Sequence, residues 1–141
     1  MPTFKKIKKK RRIKKTIRKR YIPEWERKTD KISKCWKTIK RKNFTSSDYL
    51  SNRPILIGKG QTTSQPTLIS DMLKILFKKK NKNKIDFLDI GTGSGVICAL
   101  VACYFRKNEI NTIIGIDKFN SLINKAKKKC TKNKIEKSSY R

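Results

Sequence analysis

Apolar residues recur at helical spacing early in the chain. Trp25, Ile32, Trp36 and Ile39 are separated by 7, 4 and 3 residues, and this spacing predicts an amphipathic helix with one buried face. A polar stretch rich in turn-forming residues follows over 43–54. The pattern therefore predicts one helix and then a loop ahead of the next regular element.

A second helix is predicted to begin at Pro66, because proline is tolerated in the first turn of a helix. We expect it to end in the loop 78–83. Between the two helices, the brief apolar run 55–57 is followed by a polar loop that extends to Pro66. The apolar face expected for the second helix consists of Leu68, Ile69, Met72, Leu73, Ile75 and Leu76.

The second half of the chain has the most regular pattern. Short apolar runs of strand length alternate with amphipathic stretches of helical length, in the order strand, glycine-rich turn, helix, strand, helix. This order predicts an α/β fold and, more narrowly, the beginning of a doubly wound nucleotide-binding sheet. The predicted segments are the strand 85–90, the turn 91–95, the helix 96–105, the strand 112–116 and the helix 119–129.

Positive charge dominates the composition. The 141 residues include 39 Lys or Arg and 10 Asp or Glu, a formal net charge of +29, of which residues 1–42 carry +17. Within 5–20, 12 of 16 positions are basic, and such a run repels itself and stays extended or marginally helical until it meets an anion. We therefore predict a basic N-terminal extension, partly disordered or helical, over 1–42. Nonspecific contact of residues 5–20 with nucleic acid, a nuclear targeting signal and a general Lys/Asn bias all remain open explanations.

The chain has few residues that could bind a soft metal ion or act as a catalytic acid or base. Histidine is absent, which excludes a histidine general base and His-ligated zinc, so no metal site is predicted. The four cysteines form no C-x-x-C pair, and we interpret them as reduced, buried thiols of a cytosolic protein. No apolar stretch reaches the roughly 18 residues of a membrane span, so none is predicted.

The glycine-rich turn predicts a ligand site. Glycines at alternate positions let the backbone approach a ligand, and the helix that follows directs N–H groups and its positive dipole end toward an anion. Asp117 ends the second strand, 26 residues after Gly91, where a carboxylate can accept hydrogen bonds from the ribose hydroxyls of a nucleoside. Asp89, two residues before the first glycine, can face an ammonium group.

These positions suit a ligand that carries both an amino acid and a ribose, as S-adenosyl-L-methionine does. A dinucleotide fits less well, because its turn needs a third glycine where Val96 stands. The predicted cofactor-binding residues are Asp89, Gly91, Thr92, Gly93, Ser94, Gly95 and Asp117.

Two motifs resemble those of one enzyme family. The segment 57–66, IGKGQTTSQP, resembles the I-G-x-G-Q-T-I-S-x-P loop of the protein-L-isoaspartate O-methyltransferases, with Thr63 in place of the usual Ile. At the family's spacing it is followed by LDIGTGSG at 88–95 and by IGID at 114–117. The resemblance covers about residues 43–130.

The resemblance implies a Rossmann-like, S-adenosyl-L-methionine-dependent methyltransferase fold. It implies transfer of a methyl group to the α-carboxylate of L-isoaspartyl or D-aspartyl residues in damaged proteins, a repair activity expected in the cytoplasm. Thr62 and Ser64 would belong to the active-site loop, with the serine next to the reacting carboxylate. Because a carboxylate is already ionised at neutral pH, the reaction needs no histidine base.

The family's sheet is larger than the two strands predicted here. We therefore expect only the N-terminal part of the doubly wound sheet, over 43–130, followed by a polar tail at 131–141. One alternative is a basic nucleic-acid-binding protein built on a catalytically inactive methyltransferase remnant. A further one is a methyltransferase that acts on RNA or ribosomal protein, which the loop 60–66 disfavours.

Overall fold

A computed structural model describes residues 22–45, 48–78, 84–132 and 138–140. The basic run 5–20 lies outside the described residues, and so do the predictions made for it. The helices of the described part are α1 (Glu24–Arg27), α2 (Lys31–Ile39), α3 (Pro66–Phe77), α4 (Val96–Tyr104) and α5 (Asn120–Lys132). Its strands are β1 (Ile55–Gly58), β2 (Gln61–Thr63), β3 (Ile85–Ile90), β4 (Ile110–Ile116) and β5 (Ser138–Tyr140).

The first predicted helix is two helices that share one buried face. The helical conformation is interrupted between α1 and α2. The side chain of Asp30 caps α2 there, because it accepts a hydrogen bond of 3.0 Å from the Ser33 N–H. The predicted face is confirmed, because its members are all buried, and they join the core that α4 and β4 also form. The four residues of that face are Trp25, Ile32, Trp36 and Ile39. The predicted boundary at residue 42 is thus not a boundary of the core.

α3 begins at Pro66, as predicted, and packs beside α2. The buried indole N–H of Trp36 donates to the Ser70 hydroxyl at 2.9 Å, and that hydroxyl donates to the Pro66 carbonyl at 2.8 Å. Only Ile69 and Leu73 of the expected apolar face are buried. The other members are exposed, namely Leu68, Met72, Ile75 and Leu76.

The main sheet is parallel, in the order β3-β4-β5 among the described strands. The predicted strand 85–90 is confirmed as β3. The predicted helices 96–105 and 119–129 are confirmed as α4 and α5, with ends that differ by no more than three residues. β4 begins earlier than predicted, at Ile110. β5 lies inside the segment predicted to be a polar tail and pairs with β4, so the sheet has three described strands instead of the predicted two. The succession β3-α4-β4-α5-β5 confirms the α/β class and the Rossmann-like arrangement of the chain.

The core lies on one side of this sheet. α4 is apolar almost all round because it lies between β4 on one side and α2 on the other. The inward side chains of β3 and β4, among them Phe87 and Ile113, pack there with residues of α4 and α5. The glycine-rich turn therefore connects a strand and a helix that both pack on this core.

A disulfide joins α2 to α4. Cys35 pairs with Cys103, and their Cα atoms are 5.6 Å apart. The interpretation of all four cysteines as reduced thiols is therefore wrong for this pair, because helix packing brings together two residues that are 68 positions apart in the sequence. Cys98 and Cys130 are buried thiols that lie outside this disulfide, as predicted.

A hairpin precedes α3. The predicted polar loop before Pro66 in fact contains β2, which pairs antiparallel with β1. The turn between them is formed by Gly58, Lys59 and Gly60, whose φ angles of 114°, 55° and 66° lie in the left-handed region. Among the described helices, none has the length and apolar character needed to cross a bilayer.

One arginine organises the chain that leads into this hairpin. Arg41 is buried, and its guanidinium donates to the carbonyls of Tyr49 at 3.3 Å, of Arg53 at 2.8 Å and of Ser51. Burial lowers the pKa of Arg41 to about 10, so the side chain remains charged at neutral pH. Three carbonyls of an irregular segment are thus satisfied by one side chain.

Candidate active site

The glycine-rich turn has a backbone conformation that glycine adopts more easily than any other residue. Gly91, Gly93 and Gly95 have φ angles of 77°, 53° and 79°, in the region that side chains with a Cβ rarely adopt. The N–H groups of Gly91 and Thr92 both donate to the Ile116 carbonyl, at 2.8 and 2.9 Å. The turn is therefore fastened to the carboxyl end of β4.

Asp117 fastens the same turn through its side chain. One carboxylate oxygen accepts from the Gly93 N–H at 2.9 Å, and the other accepts from the Phe119 N–H at 2.9 Å. Each oxygen of an ionised carboxylate has two lone-pair sites, so both retain capacity for a ligand hydroxyl. Asp117 can thus order the turn and accept from a ligand at once.

The backbone donors of the turn form hydrogen bonds within the protein. The carbonyl of Ile116 in β4 accepts from the N–H groups of Gly91 and Thr92, and Asp117 accepts from that of Gly93. The expectation of N–H groups that face an anion concerns the start of α4, and it stays a prediction. The internal bonds fix the shape of the turn before any ligand arrives. A ligand beside the turn would therefore meet the Asp117 carboxylate and the side chains around the turn.

Asp89, two residues before the turn, is buried and does not line the cavity that opens beside the turn. It is 9% exposed, and the Cys98 thiol donates to its carboxylate at 3.7 Å. Burial raises the pKa of Asp89, hydrogen bonds from Thr92 and Cys98 oppose that rise, and the charge of Asp117 adds to it. Burial also raises the pKa of the Cys98 thiol to about 12, which keeps its proton available for donation.

A cavity of about 370 Å³ opens beside the turn. Its volume lies within the range of small-molecule sites. Of the predicted site residues, Thr62, Gly91, Gly93 and Asp117 line it. The remaining lining residues are Ile57, Gln61, Ile90, Ile116 and Lys118.

The other predicted site residues lie elsewhere. Ser64 is exposed, in the segment between β2 and α3, and does not line the cavity. Thr92 and Ser94 are buried within the turn, and the Ser94 hydroxyl has no hydrogen-bond partner among the described residues. Gly95 serves as the N-cap of α4. The structure thus unites part of each predicted set in one cavity.

Direct packing joins the hairpin to the turn. A Cβ placed on Gly93 would lie 2.6 Å from Cδ1 of Ile57 in β1, so the glycine leaves room for that side chain. Sequence reasoning missed Ile57 as a site residue, although it is the first residue of the hairpin motif. Ile90, Ile116 and Lys118 were missed in the same way, beside the predicted turn and acid.

Comparison with known proteins places the chain in a family. The sequence profile of the family described as Protein-L-isoaspartate(D-aspartate) O-methyltransferase matches residues 6–140. The chain belongs to this family. The match includes α1 and α2, so it reaches further toward the N-terminus than the resemblance over residues 43–130 predicts.

Curated relatives carry the family's name. The protein-L-isoaspartate O-methyltransferase of Petrotoga mobilis is 33% identical over 116 residues, which are 79% of this chain and 48% of the relative. That of Pseudoalteromonas atlantica is 36% identical over 78 residues, 55% of this chain and 34% of the relative. This chain thus spans half or less of their length.

Solved structures share the fold. A Plasmodium falciparum protein assigned as a protein-L-isoaspartate O-methyltransferase, crystallised with S-adenosyl-L-homocysteine, superposes with a TM-score of 0.67 at 21% identity. The superposition covers 79% of this chain and 54% of that protein. A second protein-L-isoaspartate O-methyltransferase gives a TM-score of 0.65 over 80% of this chain and 37% of its own. The methyltransferase fold class predicted from the sequence is confirmed.

Proposed function

We propose that this chain takes part in methyl transfer from S-adenosyl-L-methionine to the α-carboxylate of L-isoaspartyl or D-aspartyl residues in proteins. One observation carries the proposal. The hairpin motif and the glycine-rich turn, which are 25 or more residues apart in sequence, line a single cavity through Thr62 and Gly93, and Asp117 lines the same cavity. A cofactor held by the turn would then lie next to a substrate held by the hairpin.

The residues at the cavity fit such a cofactor. Asp117 has free lone pairs for ribose hydroxyls while its own orientation is fixed by two backbone N–H groups. Gly91 leaves its side of the cavity open, since nothing lies within 4 Å of a Cβ built on it. Ile57, Ile90 and Ile116 offer apolar contact for a flat ring. We also propose that Asp89 faces the ammonium group of the cofactor, as the sequence predicts.

The chemistry asks little of the protein beyond placement. The cofactor, when bound, supplies an electrophilic methyl group on a positively charged sulfur. The substrate carboxylate is already ionised, so no proton has to be removed from it. The carboxylate oxygen forms the new bond to carbon, and the electrons of the broken C–S bond stay on sulfur. Thr62 in the cavity and Ser64 beside the hairpin are the hydroxyls that we propose hold the carboxylate in line.

Calorimetry with S-adenosyl-L-homocysteine tests the cofactor half of the proposal. Wild-type protein should show saturable binding, and Asp117→Asn should weaken it by roughly tenfold or more, since a charge-assisted acceptor is lost. Asp71→Asn, at an exposed position on α3, is the matched control and should leave affinity unchanged. If the wild-type protein shows no saturable binding of S-adenosyl-L-homocysteine, the proposal is wrong for this chain.

Methyl incorporation into peptides tests the substrate half. A peptide with one isoaspartyl residue should accept methyl groups, and the same peptide with ordinary aspartate should not. Thr62→Val removes the hydroxyl that lines the cavity and keeps the shape, so it should lower the rate without affecting S-adenosyl-L-homocysteine binding. Equal labelling of both peptides would contradict the assignment of the substrate.

A further inference from the structure

Three exposed lysines lie around the cavity, and each comes from a different part of the fold. Lys118 follows β4 and lines the cavity itself. Lys59 lies at the turn of the hairpin, midway between the lining residues Ile57 and Gln61. Lys125 belongs to α5. We call these three lysines the basic rim.

The side chain of Lys125 reaches the hairpin. Its Nζ atom lies 3.5 Å from the position that a Cβ on Gly58 would take, and Cδ2 of Leu122 in α5 lies 3.8 Å from the same point. Gly58 joins Ile57 of the cavity lining to Lys59. The contact of α5 with the hairpin therefore brings one ammonium group close to the turn that carries another.

No described carboxylate forms an ion pair with the basic rim. The ion pairs among the described residues are Arg53–Asp48 and Lys74–Asp30, and neither includes a lysine of the rim. Asp117, which lines the cavity, accepts hydrogen bonds from two backbone N–H groups instead. The basic rim can therefore attract an anionic partner to the cavity.

The surroundings of the basic rim leave its positive charge uncompensated. Burial lowers the pKa of Lys129, and the positive charge of Lys125, four residues earlier in α5, lowers it further. The ammonium group of Lys118 lies 4.9 Å from the centre of the Phe119 ring, a contact that attracts the cation without neutralising it. The positive potential thus extends from the cavity along α5.

We propose that the basic rim binds acidic side chains on either side of the reacting residue in a polypeptide, so that acidic segments are the preferred substrates. This role rests on the proposed function, because that function places the reacting carboxylate in the cavity. Successive residues of an extended chain are about 3.3–3.6 Å apart, so those two or three positions away lie about 7–11 Å from the reacting residue. Such neighbours leave the cavity and pass the basic rim.

The character of the site favours a polypeptide over a nucleic acid. Single-stranded nucleic acids are held by a charged groove together with aromatic rings on which the bases stack. Among the described residues that line the cavity, none is aromatic. The basic rim offers a few separate ammonium groups, each of which acts as a point charge and can pair with one carboxylate.

Fluorescence anisotropy with labelled peptides tests the basic rim on the full 141-residue chain. Each peptide contains one isoaspartyl residue, and the two residues on each side of it are all Glu, all Gln or all Lys. In dilute salt the Glu peptide should bind about tenfold more tightly than the Gln peptide, since each exposed ion pair contributes a factor of about 1.5–5. In 1 M salt, where charges are screened beyond about 3 Å, the difference should fall below about twofold.

Two double variants of equal charge separate the basic rim from the general positive charge of the chain. Lys59→Gln with Lys125→Gln should reduce the preference for the Glu peptide by about threefold or more. Lys34→Gln with Lys37→Gln removes the same charge from exposed positions on α2 and should leave the preference unchanged. Charge reversal gives a gain that unfolding cannot imitate. Lys59→Glu with Lys125→Glu should shift the relative affinity toward the Lys peptide by about tenfold.

Equal affinity of the wild-type protein for the Glu and Gln peptides overturns the proposal. Equal losses in the two Gln double variants also overturn it, because the preference then comes from net charge alone. The same holds if the substitutions at Lys59 and Lys125 weaken binding of a single-stranded oligonucleotide but not of the Glu peptide, since the basic rim then serves a nucleic acid.

Methyl incorporation into the same peptides distinguishes this inference from the proposed function. If no peptide accepts methyl groups but the Glu preference depends on Lys59 and Lys125, the basic rim binds acidic segments and the proposed function fails. If the peptides are methylated but bind with equal affinity, the proposed function stands and the role of the basic rim is wrong.

Discussion

At the residue scale, Asp117 has a structural role that the sequence does not predict. The sequence predicts a carboxylate for the ribose and separate N–H donors for an anion. The structure uses the carboxylate to bind the Gly93 N–H, so the acid and the turn form one unit. A ligand that binds Asp117 therefore meets a turn that is already in its final shape, and less ordering entropy is lost on binding.

Gly93 should tolerate replacement by alanine poorly. Gly93→Ala puts a Cβ into the left-handed region, at a cost of about 1–2 kcal/mol, and also displaces Ile57. Gly60→Ala is the matched control, because its φ of 66° is similar and nothing lies within 4 Å of the added Cβ. Urea unfolding should show a larger loss of stability for Gly93→Ala than for Gly60→Ala.

A double-mutant cycle isolates the contact. Ile57→Val removes the Cδ1 atom that the new methyl group would meet. Gly93→Ala combined with Ile57→Val should therefore lose less free energy of unfolding than the sum of the two single variants. Strict additivity would mean that the hairpin does not pack on the turn.

Asp89 should make stability depend on pH in a defined direction. Burial raises its pKa in the folded state above that in the unfolded chain. Stability from this group is then fully present below the unfolded value near 3.8 and is lost as the pH rises through the folded value. Asp89→Asn removes the titration, so it should stabilise the protein more at pH 7 than at pH 4, relative to wild type.

Urea unfolding of both proteins at the two pH values measures this difference. The comparison cancels the carboxylates of Asp30 and Asp86, whose pKa values are lowered and whose effect on stability has the opposite sign. An Asn variant whose advantage is larger at pH 4 would show that Asp89 is stabilised as a charge.

At the scale of elements, Arg41 connects the helical layer to the hairpin. Arg41→Lys should lower the free energy of unfolding by about 1–3 kcal/mol, because one ammonium group cannot reach three separate carbonyls. It should also make the segment before β1 easier to cleave by protease. Arg53→Lys is the control, since its ion pair with Asp48 is 80% and 59% exposed and worth little. Equal losses in the two variants would contradict the role of Arg41.

Some elements could be predicted because their sequence reports their burial. β3 and β4 carry apolar residues on the inward face, and α4 is apolar nearly all round. The pattern of apolar residues therefore predicts the strands, the turn and the helix without further information. Pro66 marks the start of α3 for a reason local to the chain. These elements also fix the positions of the turn and of Asp117.

Other elements could not be predicted because their stability comes from distant partners. β2 and β5 are short and polar, and only their pairing with β1 and β4 makes them strands. The break before α2 depends on a single cap by Asp30. In the site, the occupation of the turn's N–H groups depends on the carbonyl of Ile116, which no side-chain pattern reports.

At the scale of the whole molecule, the disulfide closes a long loop across the core. Cys35 and Cys103 are separated by 68 positions, and a cross-link of this span stabilises chiefly by restricting the unfolded chain. Reduction should lower the free energy of unfolding by roughly 2–4 kcal/mol. Urea unfolding with and without reductant measures it.

The doubly substituted protein is the control for that prediction. With Cys35→Ser and Cys103→Ser, the two remaining cysteines are buried thiols, so reductant should have no further effect. A reductant effect of the same size in this variant would place the redox-sensitive bond elsewhere.

Net charge and the edge of β3 that no described strand pairs with act in opposite directions on self-association. A net charge of +29 makes two molecules repel each other, while that edge, on a strand with exposed Leu88 and Ile90, is a template for aggregation. The repulsion reaches about 30 Å at 0.01 M salt and only about 3 Å at 1 M. In dilute salt the molecules are therefore kept apart by their charge. In concentrated salt this repulsion is screened. The molecules can then approach closely, and precipitation should begin with contacts between their sheet edges.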